Sequence, residues 1–124
     1  MKFLLSFVFC LLSYICLSQS WVWAQGEGGI GNDAANAVTT DNSGNTYITG
    51  EIAGKADFSG TVYQGNGIYE VFIAKYDASG NLLWVKLAGG DGNDEGNCIK
   101  WKNGFLYVCG SFEDTAFFEN TSLI

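Results

Sequence analysis

Four oxygen-bearing residues in one loop, Asp91, Asn93, Asp94 and Glu95, form the densest set of candidate ligands in the chain. They lie in GGDGNDEG, residues 89–96. Oxygen donors of this kind suit calcium, which takes six to eight of them, several from a single loop. The spacing does not follow the twelve-residue EF-hand loop, and no glutamate stands at its last position. The competing reading is local: Asn and Asp before a strand bond to nearby backbone and set a turn. Cys98 and Cys109 are the second pair of interest. Two cysteines without histidine are too few for a structural zinc.

What the sequence lacks narrows the chemistry further. The 124 residues include no histidine, no proline and no arginine. Without histidine, the usual general base near neutral pH is missing, and Ser/His/Asp or Cys/His arrangements are impossible within this chain. Glu51, Asp57, Glu70 and Asp33 supply carboxylates for a glycosidase pair, but nothing in one dimension selects two of them. No glycine run matches a phosphate loop. Six lysines against thirteen acidic residues give a net charge of −7. That balance argues against nucleic acid and against anchoring to anionic lipid; it favours a solvated surface. No cofactor is therefore expected, with calcium at residues 91–95 as the one candidate.

The elements that must position these residues are short strands. Runs rich in β-branched and aromatic residues are bounded by Gly, Asn and Asp, and the chain after residue 20 shows no sustained helical period. The pattern predicts strands at 36–40, 46–52, 70–76 and 82–87, with two minor ones at 56–58 and 61–63. The loops DNSGN (41–45) and DASGN (77–81) carry the signature of a tight hairpin with a left-handed glycine.

The chain repeats itself. WVWAQGEGG at 21–29 aligns with LLWVKLAGG at 82–90, an offset of 61. The same offset carries Asn32, Asp33, Asn36 and Val38 onto Asn93, Asp94, Asn97 and Ile99. One residue is lost in the turn, and at offset 60 Gly44, Tyr47, Gly50, Ala56 and Phe58 meet Gly104, Tyr107, Gly110, Ala116 and Phe118. A three-residue loop at 42–44 puts Val38 opposite Ile48. A two-residue type I′ turn at Asn103-Gly104 puts Ile99 opposite Val108. Equivalent residues thus face each other in both copies, as a change confined to the turn requires. The same register sets Cys98 opposite Cys109 as a hydrogen-bonded pair, which suits a cross-strand disulfide poorly. A disulfide and two packed thiols both stay open. Repetition of Trp23/Trp84 and Tyr47/Tyr107 in strands points to core positions, as it does for Trp101, and not to sugar-stacking platforms.

The unit is an antiparallel meander of four strands, and radial repetition of such sheets builds a β-propeller. Residues 1–20 read as an export signal. Lys2 precedes an apolar run at 3–17, too short for a membrane span, and Ser18 and Ser20 offer cleavage points. Export makes a disulfide chemically allowed. It removes Cys10 and Cys16, and it leaves a mature charge of −8 with no membrane attachment.

The set GGxGND…AN, DNSGNTYITG, ADF and YEVFIAKYDASGNLLW resembles the SBBP-type β-propeller repeat of secreted bacterial proteins. The resemblance spans nearly all of the chain after residue 20. It implies an all-β fold of antiparallel four-stranded repeats, with about one and a half propeller blades present. Residues 21–27 are then a d-type strand of a preceding or closing blade. Residues 28–88 are one full repeat. Residues 89–124 are a second repeat that stops after its first hairpin, as in a fragment of a larger propeller. The expected role is a secreted or cell-surface scaffold or binding surface, without enzymatic activity, for a protein or a glycan. The alternative is the N-terminal piece of an extracellular propeller enzyme acting on glycans.

Overall fold

A computed structural model describes residues 20–119 and 121–123. The expected export segment lies outside the described residues apart from Ser20. Every element described is a strand: β1 (Gly28–Gly29), β2 (Ala34–Thr40), β3 (Thr46–Ile52), β4 (Lys55–Phe58), β5 (Thr61–Gln64), β6 (Glu70–Tyr76), β7 (Leu82–Ala88), β8 (Glu95–Lys102), β9 (Phe105–Ser111), β10 (Ala116–Phe118) and β11 (Thr121–Leu123). The protein is all-β, and its sheets are antiparallel.

The central sheet has the order β2-β3-β6-β7, each strand paired to the next in sequence. Val38 faces Ile48 and Ile99 faces Val108, the predicted register in both copies. Asn103 and Gly104 both have positive φ, 53° and 85°, as a type I′ turn demands. Each first hairpin also carries a bulge that the sequence pattern does not reveal. The pairing shifts by one between Ala35 and Ala37 and again between Gly96 and Cys98, leaving Asn36 and Asn97 as the extra residues.

Side chains alternate across the central sheet, and its two faces do different work. On one face Ile52, Phe72, Ala74 and Tyr76 join Ala56 and Phe58 in the main core. Phe58 packs against Phe72 at 5.2 Å between ring centroids and meets Tyr63 edge-on at 5.6 Å. Burying a side chain of this size contributes roughly 1.5–3 kcal/mol, so this cluster is the main source of cohesion. The other face carries Thr49 and Val71, and the β8–β9 hairpin lies on it. A side chain at Gly96 would run into Thr49 Oγ1 and Val71 Cγ1, so the two layers meet there nearly backbone to side chain. The Asn36 amide donates to Gly96 O at 3.2 Å, and Trp101 N donates to Thr39 Oγ1 at 3.3 Å.

A second layer closes the core from below. β1, β4 and β5 form a three-stranded sheet in which Gly28 pairs with Asp57. The second copy repeats this join as a single bridge from Gly89 to Phe117, beside the β10–β11 hairpin.

One expectation needs correction, and the segment expected to serve a preceding or closing blade stands unpaired here. Residues 21–27 form no strand. A strand needs a neighbour for its backbone groups, and none is offered to this segment among the described residues. It is held instead by side chains: Trp23 stacks on Tyr76 at 5.7 Å and Gln25 Nε2 donates to Gly80 O at 2.9 Å. The aromatic pairs are also not uniformly core. Tyr47 is 7% exposed, whereas its counterpart Tyr107 is 59% exposed. Tyr47 lies in a strand flanked by β6 and packs near Trp84 at 6.1 Å; among the described residues β9 is paired to β8 alone. Trp23, Trp84 and Trp101 are part-buried.

Both hairpin loops of the first repeat are fastened by an aspartate. Asp77 Oδ1 accepts from Ser79 N at 2.8 Å and Asn81 N at 2.9 Å, and its Oδ2 accepts from Asn81 Nδ2 at 2.8 Å. Asp41 does the same with Ser43 and Asn45. The Asn81 side chain, then the loop amides, hold the Asp77 carboxyl below its ordinary value of 3.8. The Asn45 side chain does so for Asp41, against a smaller opposing effect of burial. A carboxyl depressed by folding stabilises the fold above its unfolded pKa, and that contribution is lost as pH falls through the folded value. Asp77→Asn is therefore expected to lower the urea midpoint at about pH 7, and the gap to the parent chain should close below pH 3.8. A gap of constant size down to about pH 2 would show that the charge of Asp77 is not what fastens the loop.

Candidate functional site

The acidic loop at 89–96 does not gather its four oxygen donors. Asp94 is fully buried and turns inward. Its Oδ2 accepts from Gly90 N at 2.6 Å and its Oδ1 from Glu113 N at 3.1 Å. Asn93 is taken up by Glu113, whose Oε2 accepts from both its backbone N (3.1 Å) and its Nδ2 (2.7 Å). Asp91 is exposed, and Glu95 begins β8, opposite Ser111.

The first copy explains the arrangement. Asp33 Oδ2 accepts from Gly29 N at 2.6 Å and its Oδ1 from Ala53 N at 2.8 Å. The three residues of this brace map onto Gly90, Asp94 and Glu113 at the repeat offsets of 61 and 60. In each copy one carboxylate ties the glycine turn to the end of the hairpin's second strand. Backbone donors thus occupy both carboxylate oxygens of Asp94, the buried member of the set. Among the described residues, no three His, Cys, Asp or Glu side chains come together as a metal site. Adding about 1 mM calcium to chelator-treated protein is expected to leave its melting temperature unchanged; a rise of several degrees would reinstate the loop as a calcium site.

The other carboxylates are also engaged. Glu70 is buried, and its Oε2 accepts from Asn66 N at 2.9 Å and Gly67 N at 3.2 Å. Asp57 Oδ1 accepts from Gly60 N at 2.6 Å, and Glu51 Oε2 accepts from Asn36 Nδ2 at 2.6 Å. Glu27, which the sequence does not single out, holds Ser59 N at 2.7 Å and Ser59 Oγ at 2.9 Å and lies 3.3 Å from the Tyr76 hydroxyl. Burial, and then the Glu27 charge, push the Tyr76 phenol up. Glu27, Asp33 and Asp57 line one cleft of about 480 Å³, and each of the three carboxylates there already accepts from backbone or hydroxyl donors.

Cys98 and Cys109 stand directly opposite each other, as the register predicts. Both are free thiols and both are exposed.

A concave, mostly apolar feature lies beside β9. A groove of about 370 Å³ runs between β6 and β9. Val71 and Ile73 form its floor; Val108, Phe112 and Phe118 form its wall. Glu95 contributes the one charged side chain of its lining. The sequence alone does not mark this groove, because its wall residues look like ordinary strand residues. The available signal is the repeat: Phe112 and Phe118 correspond to Ile52 and Phe58, which are buried in the first copy.

Fold and site together describe an all-β protein built from a repeated antiparallel unit. No protein-family model, curated protein or solved structure matches the chain.

Proposed function

We propose that this protein is an exported repeat protein of the β-propeller type, non-enzymatic, that serves as a scaffold or binding surface for a protein or glycan at the cell surface. The observation that carries the reading is the duplicated brace. Asp33 and Asp94 make the same pair of backbone contacts in the two copies, and the second hairpin stacks on the sheet of the first. Lateral stacking of like sheets is how propellers bury the faces that one sheet cannot bury alone. The resemblance to the SBBP-type repeat and the apolar leader at 3–17 support the same reading.

The test has two parts. The full chain is expressed in a secreting bacterial host and the exported product is weighed by mass spectrometry. Loss of the first 18 or 20 residues is expected. The processed protein is then applied to a glycan array, with and without calcium, and the array is assayed for released sugar. Binding without release supports a non-enzymatic role. Release of sugar would favour the enzyme reading, and retention of an unprocessed chain in the cell would remove the export step. Silence on the array would remove glycans as the partner class.

A further inference from the structure

We propose that Cys98 and Cys109 are a reversible dithiol–disulfide site: a bridge across the β8–β9 hairpin that closes by thiol–disulfide exchange and opens again without unfolding the hairpin.

The juxtaposition is set inside one hairpin. Cys98 and Cys109 are direct partners in the β8–β9 ladder, and the Asn103-Gly104 turn that fixes their register is described with them. No strand beside β9 enters into it. Counting outward from the two-residue turn makes this a hydrogen-bonded pair. The Cα atoms of such a pair stand about 5.5 Å apart, a separation that a disulfide spans. Their Cβ atoms also stand about 5.5 Å apart, whereas a disulfide holds them at about 3.8 Å. Closing the bridge therefore pulls the two side chains together against the ladder. The bulge residue Asn97 directly precedes Cys98. A bulge interrupts the ladder and raises the local twist, so the backbone at Cys98 can yield enough for the bond to form. The bond stays strained, and strained disulfides are the readily reduced ones.

The first repeat shows that the hairpin does not need the bridge. Cys98 and Cys109 correspond to Ala37 and Thr49, which face each other in the same register beside the same bulge. No covalent link is available there, and Thr49 Oγ1 donates to Phe72 O at 2.8 Å instead. Turn and bulge thus hold the register in both copies. A bond on which the register does not depend can be broken and remade in the folded protein.

The exchange needs a partner disulfide as oxidant. The thiolate of one cysteine attacks a sulfur of that disulfide and releases one thiol. The second cysteine attacks the resulting mixed disulfide and releases the other thiol. The chain gives up two electrons and two protons, and the partner disulfide becomes two thiols. Reduced thiols of the same class reverse both steps.

The site goes beyond the binding role and rests on the export reading only for the supply of oxidant, since disulfides persist in oxidising compartments. The test uses the full chain with Cys10→Ser and Cys16→Ser, so that Cys98 and Cys109 are its only thiols. The protein is equilibrated with mixtures of reduced and oxidised glutathione, free thiols are trapped by alkylation, and the products are mapped by mass spectrometry. Excess oxidised glutathione is expected to remove both thiols together and leave a monomer lighter by two hydrogen atoms, with Cys98 linked to Cys109. Excess reduced glutathione is expected to return both thiols. Hydrogen exchange at the Lys100 and Tyr107 amides, which lie in the next hydrogen-bonded pair, is expected to stay slow in the reduced form. Thiols that stay reduced, or that are found only in glutathione adducts or in dimers, would overturn the proposal. So would a bridge that resists excess reduced glutathione, which would be a fixed structural link, or loss of the Lys100 and Tyr107 protection on reduction. None of these readings depends on export, so a chain retained unprocessed in the cell would remove the export step and leave the exchange chemistry standing.

Discussion

Gly50→Ala is expected to cost about 4 kcal/mol or more, enough to unfold a domain of this size or nearly so. Gly50 stands opposite Ala35 at the bulge, where β2 bends over β3. A Cβ there would overlap the carbonyl oxygen of Ala34 and lie 2.8 Å from Ala34 C and 3.0 Å from Ala35 Cα. These are backbone atoms of the paired strand, so no side-chain rotation relieves the overlap. The bulge must open or β2 must detach. Detaching β2 also removes the surface on which β8 rests. Gly110 is the equivalent residue, and its Cβ would lie 2.9 Å from Glu95 C. The local clash is the same, but β9 is an edge with nothing beyond it among the described residues. Gly110→Ala is therefore expected to loosen the β8–β9 hairpin and spare the central sheet. Urea unfolding followed by far-UV circular dichroism separates the two. Equal midpoints for both variants would show that the bulge positions do not differ in this way.

This contrast also shows where sequence reading succeeds and where it stops. The bounds of β3 and β6 follow from period and punctuation, because Asn45 and Asp77 stand directly outside one end of each and Gly54 and Gly67 lie close to the other. Register was legible because two copies with different turn lengths had to place the same residues opposite each other. The join of Gly28 to Asp57 was not, because two glycines carry no alternation to read. Burial was the least legible property. Tyr47 and Tyr107 are the same residue at equivalent positions, and what separates them is the chain around them: β6 beside β3, and the β8–β9 hairpin over the face that carries Thr49. Trp23 matches Trp84 in sequence, yet only Trp84 has a paired neighbour strand. Glu70 stands in the sequence only as one of four carboxylates that nothing pairs, and nothing short of the folded loop at 65–70 shows that it is buried under two amides. At the acidic loop, residue type suggested both a metal and a turn. The copy with only Asn32 and Asp33 favoured the turn, since it keeps the one carboxylate that both braces use.

Asp94→Ala is the second change with a large expected effect, about 2–3 kcal/mol, whether or not calcium is present. The carboxylate is fully buried and ends two backbone donors. Glu113 is exposed, so water can replace the oxygen that its N–H loses. Gly90 is buried, and its N–H would be left without a partner, which costs most of the figure above. Asp33→Ala removes the same brace from the first copy, but Gly29 is exposed and Ala53 only part-buried. Water can reach both sites, and a loss of about 1 kcal/mol is expected there. Asp94→Asn is no rescue, because its amide retains one acceptor and turns a donor toward the other N–H. Urea midpoints of the three variants, each with chelator and with calcium, decide the matter. A brace predicts that Asp94→Ala is worst in both conditions. A metal site predicts that the variant and the parent chain differ only when calcium is added.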